Sequence, residues 1–330
     1  FAALALAVVG SDGSVAGIAA SSLAATAIYG VGIVAASHRA GLWPMAGGSA
    51  RDEVRAGLPL IALRITGVGY RQLDKLALGA LVGVVATAGF DVAEKANLVA
   101  LTLLGVATSA LIPAAAHALR RGPDGASRLA LDATKWSALA AAPVAGIVIG
   151  LAGPLSDVIA GSHLPGVPAA IRWLALTTIV ACVYAAAFEM SIGAGAARKL
   201  VPFSVAGLVI NVGATLVLVR AYGLPGSAAA SFIATATVAP WVTRITAEAV
   251  GQRVRALVLI VLPALGVASV AAAGSWWAAG SGEGFGALLR GGFVGGVVWA
   301  VGAAIVARRS DLPPFPRRRR GTPDSVATHA

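Results

Sequence analysis

The sequence predicts an all-α integral membrane protein, a multi-pass bundle of apolar helices. Three observations predict it. The 330 residues are 58% hydrophobic and only 12% Asp, Glu, Lys or Arg, against about 25% charged in soluble domains. Apolar runs of the roughly 20 residues needed to span a bilayer recur along the chain. Basic residues gather in alternate links between those runs, as loops on one side of a membrane do.

The first run, Phe1 to Val9, is short and opens directly on apolar residues, so it reads as a fragment that starts inside a membrane helix. Nine longer runs follow, near Val15–Ala36, Gly57–Leu81, Phe90–Leu119, Leu131–Gly153, Ala169–Gly193, Leu200–Tyr222, Ser227–Ala247, Ala256–Gly274 and Leu288–Ala307. Ala, Gly, Val and Leu dominate them, a mixture that lets helices pack closely in lipid.

The charges test this division. Arg39, Arg51 and Arg55 lie in one link; Arg120, Arg121, Arg128 and Lys135 lie in or just beyond the next basic one. Arg198 and Lys199, then Arg244, Arg253 and Arg255, then Arg308, Arg309 and Arg317 to Arg320 complete a side that holds 18 of the 25 basic residues. The alternate links Gly10–Ser14, Val82–Gly89, Pro154–Pro168, Gly223–Gly226 and Ser275–Gly286 hold no Lys or Arg. The basic side is therefore expected to be cytoplasmic, with the C-terminus inside and the plasma (inner) membrane as host. The net charge of +11 then reflects cytoplasmic loops and contact with anionic lipid, and implies no nucleic-acid partner.

Two stretches repeat. Gly10-Ser-Asp-Gly13-Ser14 and Gly223-Leu-Pro-Gly226-Ser227 each follow an apolar helix on the outer side. Six further helix starts lie between them, the spacing of two copies of one bundle in the same orientation.

One helix is unlike the rest. Gly57–Leu81 carries Arg64, Arg71, Asp74 and Lys75. At 100° per residue Arg64, Arg71 and Lys75 fall within about 40° of one stripe, at depths of about 12, 22 and 28 Å from the inner end. A central Lys or Arg costs about 2.5–3.5 kcal/mol against lipid, while a Leu, Ile or Val returns only about 0.3–0.6. The stripe should therefore face a water-filled cavity or paired acids. Asp74 can pair with Arg71 at i+3, and Asp91, Glu94 and Lys95 begin the next helix near Lys75. Glu189 is an isolated acid, placed to couple cation entry or to pair with Arg198 or Lys199. Asn211 sits mid-helix, suited to an interhelical hydrogen bond.

No metal site and no cofactor are expected. The single cysteine, Cys182, lies in an apolar run, and His38, His117, His163 and His329 fall in links, helix ends or the tail without metal-ligand spacing. No Gly-x-Ser-x-Gly elbow or phosphate-binding Gly-x-x-x-x-Gly-Lys occurs, and Gly280-Ser-Gly-Glu-Gly-Phe-Gly286 lacks the dinucleotide spacing. An enzyme is not expected.

Three stretches carry a family likeness: Gly57-Leu-Pro-Leu-Ile61 leading to Asp74-Lys-Leu-Ala-Leu-Gly79; Ala110-Leu-Ile-Pro113; and Ala197-Arg-Lys through Asn211 to Tyr222-Gly-Leu-Pro-Gly-Ser-Ala-Ala-Ala-Ser231. Between Gly57 and Pro240 the chain resembles the polysaccharide-biosynthesis branch of the multidrug/oligosaccharidyl-lipid/polysaccharide exporter superfamily, with Ser227 where Ala is usual. The resemblance implies two six-helix lobes facing each other. Residues 1–36 would end a truncated first lobe, 37–56 would be a cytoplasmic linker, and 57–247 a complete second lobe. Residues 248–307 would be two additional helices and 308–330 a basic cytoplasmic tail. It implies a flippase for lipid-linked oligosaccharide that works by alternating access. Arg64, Arg71, Asp74, Lys75, Glu94 and Lys95 would line a cationic cavity for the carrier's pyrophosphate. The implied partners are that substrate, membrane lipids, a coupling cation (Na+ or H+) and polysaccharide-assembly proteins. Flipping the peptidoglycan lipid precursor, or exporting drugs, stays open within the superfamily. A membrane-embedded polymerase or glycosyltransferase stays open outside it.

Overall fold

Large apolar side chains point outward and small ones inward, and this inversion organises the protein. The computed structural model describes residues 50–309, apart from 121, 163, 281 and 283. Nearly all of these fall in one compact unit, Pro59–Ala330; residues 50–58 belong to the other, Phe1–Leu58, and are helical. The expected helices Phe1–Val9 and Val15–Ala36, the Gly10 copy of the repeat, most of the 37–56 linker and the tail beyond 309 lie outside the described residues.

The described elements are all α-helices. They are α1 (Ala50–Leu81), α2 (Val84–Ser109), α3 (Leu111–Arg120), α4 (Pro123–Gly150), α5 (Ala152–Ala160), α6 (Val167–Gly193), α7 (Ala197–Tyr222), α8 (Leu224–Ala249), α9 (Val254–Ala279) and α10 (Gly284–Arg309). Six segments are long and apolar enough to cross a membrane: α2 with α3, and α4, α6, α7, α9 and α10. This is a multi-pass membrane protein. The helices α1 and α8 are also 32 and 26 residues long but less apolar. Eight charged residues interrupt α1, four of them between Gly57 and Leu81, and Gly, Ser and Thr dilute α8.

Two expected spans differ from the structure in the same way. The run Phe90–Leu119 is two helices that break after Ser109, and Leu131–Gly153 gives way to α4 and α5, which break after Gly150. Ser109 is four residues before Pro113 and Gly150 is four before Pro154. A proline removes one backbone donor and crowds the carbonyl four residues back, and each break falls at that carbonyl, whereas Pro143, Pro240 and Pro263 are held inside unbroken helices. Part of the expected Pro154–Pro168 link is consequently helical. The other links are tighter than the sequence suggested. Only Val82 and Gly83 separate α1 from α2, and only Gly223 separates α7 from α8. Gly223 has φ 60° and ψ −134°, a conformation essentially confined to glycine.

The interior is mostly alanine. Ala93, Ala96 and Ala100 form one buried stripe on α2, and Ala138, Ala141, Ala142 and Ala145 form another on α4. Larger buried chains such as Leu78, Phe90 and Ile171 are few, while Val84, Val85, Val106, Val270 and Phe293 lie exposed. Helices in lipid associate through close backbone approach rather than by hiding large apolar groups from water. The α4–α9 seam shows it: a Cβ on Gly146 or Gly150 would run into the carbonyls of Ala268 and Ala272. The helix α8 lies between α6 and α7, α6 also packs on α2 and α4, and α9 with α10 covers α4.

Candidate functional site: a charged cavity beside α1

Adjacent residues of a helix point about 100° apart, and α1 uses this to send opposite charges to different neighbours. The Lys75 ammonium reaches across the hairpin to α2, with Nζ 2.5 Å from Asp91 Oδ1 and 2.7 Å from Glu94 Oε2. Asp91 and Glu94 are three residues apart, so they share one face of α2. About a quarter of Lys75 and of Glu94, and 45% of Asp91, stays exposed.

Asp74 turns the other way and is 2% exposed. Its Oδ1 accepts hydrogen bonds from Asn211 Nδ2 at 3.2 Å and Thr215 Oγ1 at 2.8 Å, and its Oδ2 accepts one from Ser231 Oγ at 2.6 Å. Asn211 and Thr215 are one turn apart on α7, and Ser231 is on α8. One carboxylate thus ties three helices, including α1 and α8, the two described long helices outside the six apolar spans. The Asn211 Oδ1 is buried and has no partner among the described residues. A second buried polar link joins α2 to α6: Asn97 Nδ2 donates to Thr178 Oγ1 at 2.9 Å and to the Leu174 carbonyl at 3.2 Å.

These groups border a cavity of about 350 Å³. Its charged lining is Asp74, Lys75, Asp91, Glu94 and Lys95, and its apolar side includes Phe90, Leu98 and Leu101. Among the described lining residues three carboxylates face two ammonium groups, whereas the sequence suggested a cationic wall. The reason is the hairpin. It lays the acids of α2 directly against Lys75, so that ammonium is neutralised where it stands.

A second cavity of about 350 Å³ adjoins the first, and Tyr70 and Thr235 line both. Tyr184, Phe188, Glu189 and Phe203 form much of its wall. Glu189 is half-buried and makes no ion pair among the described residues. Arg64 is the cation whose charge acts on it. The expected partners Arg198 and Lys199 are exposed at the start of α7, on a new helix that turns them away from the bundle.

Of the residues the sequence singled out, Asp74, Lys75, Glu94 and Lys95 therefore meet at one cavity. Asn211 joins them through Asp74, and Glu189 lines the adjoining cavity. Arg64 is exposed on α1. The side chain of Arg71, and with it the expected Asp74–Arg71 pair, lies outside the described residues. Tyr70, Tyr184, Thr215 and Ser231 were not singled out. The four-residue spacing of Asn211 and Thr215 in an apolar helix was the available signal for one of them. Among the described residues no cluster of His, Cys, Asp and Glu is arranged to hold a metal ion.

The model of the family described as polysaccharide biosynthesis protein matches residues 1–165, half of the chain. The chain belongs to that family. No curated protein and no solved structure matches it. Within this polysaccharide biosynthesis protein the match takes in α1, α2 and the Lys75–Asp91–Glu94 cluster. Asn211, Thr215, Ser231 and Glu189 lie beyond the matched residues.

Proposed function

We propose that this polysaccharide biosynthesis protein is a flippase. It carries polyprenyl-pyrophosphate-linked oligosaccharide across the plasma membrane by alternating access and forms or breaks no covalent bond. Its basic loops and C-terminus face the cytoplasm, and residues 57–247 act as one of two lobes. The observation that carries the reading is the charged cavity beside α1 in a bundle whose outer surface is apolar. Charges at membrane depth mark substrate and ion pathways. Lys75 and Lys95 are the described cations at the cavity. An arriving pyrophosphate exchanges Asp91 and Glu94 for itself on Lys75, which makes substrate binding and opening of the α1–α2 contact one event. Polysaccharide-assembly proteins deliver and consume the carrier.

The coupling cation, Na+ or H+, belongs at Asp74. A proton there neutralises the buried carboxylate. A sodium ion finds carboxylate, hydroxyl and amide oxygens on three helices, including the unpartnered Asn211 Oδ1. Either event alters the contacts that hold α1 to α7 and α8.

A sealed-vesicle assay tests the reading. A fluorescent polyprenyl-pyrophosphate oligosaccharide is followed between leaflets with the wild-type protein and with Lys75→Gln. Flipping by wild type that drops in a folded Lys75→Gln variant supports it; a wild type that moves no lipid-linked glycan sinks it. The excess of acids in the first cavity favours one second reading, export of organic cations. Ethidium efflux by the same vesicles, unaffected by the glycolipid, would select that alternative.

A further inference from the structure

The second cavity differs in chemistry from the first. Its wall carries four aromatic rings, Tyr70, Tyr184, Phe188 and Phe203, from α1, α6 and α7. Phe203 is held from behind by Trp241, with ring centroids 6.2 Å apart and planes 20° apart. Between the rings lie Glu189, Ser204 and Thr235. Among the described residues, no hydrogen bond engages the hydroxyls of Tyr70, Tyr184, Ser204 and Thr235 or the carboxylate of Glu189. These groups are all half-buried, so their hydrogen-bonding capacity is open to a ligand. Apolar faces beside a few convergent polar groups are the general form of a small-molecule pocket.

We propose that this cavity is a sugar compartment. It takes a neutral hexose of the glycan with its C–H face on Tyr70 or Tyr184 and its hydroxyls donating to Glu189, while the phosphates remain in the first cavity. Aromatic faces with a carboxylate also suit organic cations. The hydroxyls of Tyr70, Tyr184, Ser204 and Thr235 outnumber the single carboxylate of the wall, which favours a polyhydroxyl ligand. The shared lining by Tyr70 and Thr235 makes the two cavities neighbours, as a carrier headgroup and its first sugar require. The inference rests on the flippase reading and deepens it.

The test compares two probes on the full-length protein in lipid nanodiscs: polyprenyl pyrophosphate, and the same lipid bearing a neutral hexose trisaccharide. In wild type the trisaccharide form should bind about tenfold tighter. Tyr184→Phe, which keeps the ring and removes only the hydroxyl, and Glu189→Gln should each lose most of that gain. Both should bind the bare carrier within about twofold of wild type. A wild type that binds both lipids equally, or variants that weaken both alike, overturns the sugar compartment and leaves the flippase reading standing. A wild type that binds neither lipid overturns both. Tetraphenylphosphonium binding that depends on Glu189, with the trisaccharide gain intact in Glu189→Gln, assigns the cavity to organic cations and overturns the proposal.

Discussion

Asp74 and Lys75 are neighbours in the chain with opposite charges, yet they share no partner. Asp74 bonds Asn211, Thr215 and Ser231 on α7 and α8, and Lys75 bonds Asp91 and Glu94 on α2. Two consecutive side chains therefore hold α1 on two sides. What loosens one side leaves the other in place, so the two can be separated by mutation.

On the Asp74 side, Thr215→Val keeps the shape of the side chain and removes the donor at 2.8 Å. Interhelical hydrogen bonds in membranes average about 0.6 kcal/mol and reach about 1.7; an ionised acceptor belongs at the upper end. Thermal unfolding in detergent should show a loss of that size. Asp74→Ala should cost more than any one partner, because it leaves three buried polar groups unmatched. A double-mutant cycle between Asp74 and Thr215 should give a non-zero coupling; strict additivity would mean that the bond contributes nothing to stability.

On the Lys75 side, the two acids are not equivalent to the lysine. Asp91→Asn leaves Lys75 paired with Glu94, whereas Lys75→Gln leaves two carboxylates together without their cation. Lys75→Gln should therefore destabilise more than Asp91→Asn. Breaking a buried pair from one side costs about 3–5 kcal/mol, and the partial exposure of all three groups puts this case well below that. Equal midpoints in a denaturation series would argue against a shared cluster.

The two proline breaks make a prediction in hydrogen exchange. In Pro113→Ala, residue 113 regains an amide able to bond the Ser109 carbonyl, and α2 and α3 should join. Amides from Ala110 to Ala114 should then exchange more slowly than in wild type. Pro154→Ala should do the same between Gly150 and Leu155. Unchanged exchange at both places would locate the cause of the breaks in packing rather than in proline.

The α4–α9 seam should be intolerant of a methyl group. Gly146→Ala brings a Cβ against the Ala268 backbone, and forced separation of packed elements costs about 1–3 kcal/mol. Gly153→Ala on α5 meets nothing within 4 Å and should be neutral or stabilising by up to about 1 kcal/mol. Melting temperatures of the pair decide it; similar losses at both would mean that close approach is not what Gly146 provides.

The sequence by itself determined that this is a multi-pass helical membrane protein. Apolar length and the rarity of charge are local properties, and lipid tolerates almost no other backbone arrangement. It also marked the Gly57–Leu81 part of α1 as exceptional, because four charges in a spanning stretch need an explanation whatever surrounds them. It offered Pro113 and Pro154 as places for helix breaks but could not separate them from Pro143, Pro240 and Pro263, which lie inside unbroken helices. Only the tertiary structure decided what the charges do. The partners of Asp74 lie 137, 141 and 157 residues away in the chain, and no periodicity within α1 encodes them. The same holds for Glu189. Sequence proximity suggested Arg198 and Lys199, but the turn after Gly193 starts a new helix whose direction exposes them. The second cavity, with rings from three helices, exists only once those helices are packed.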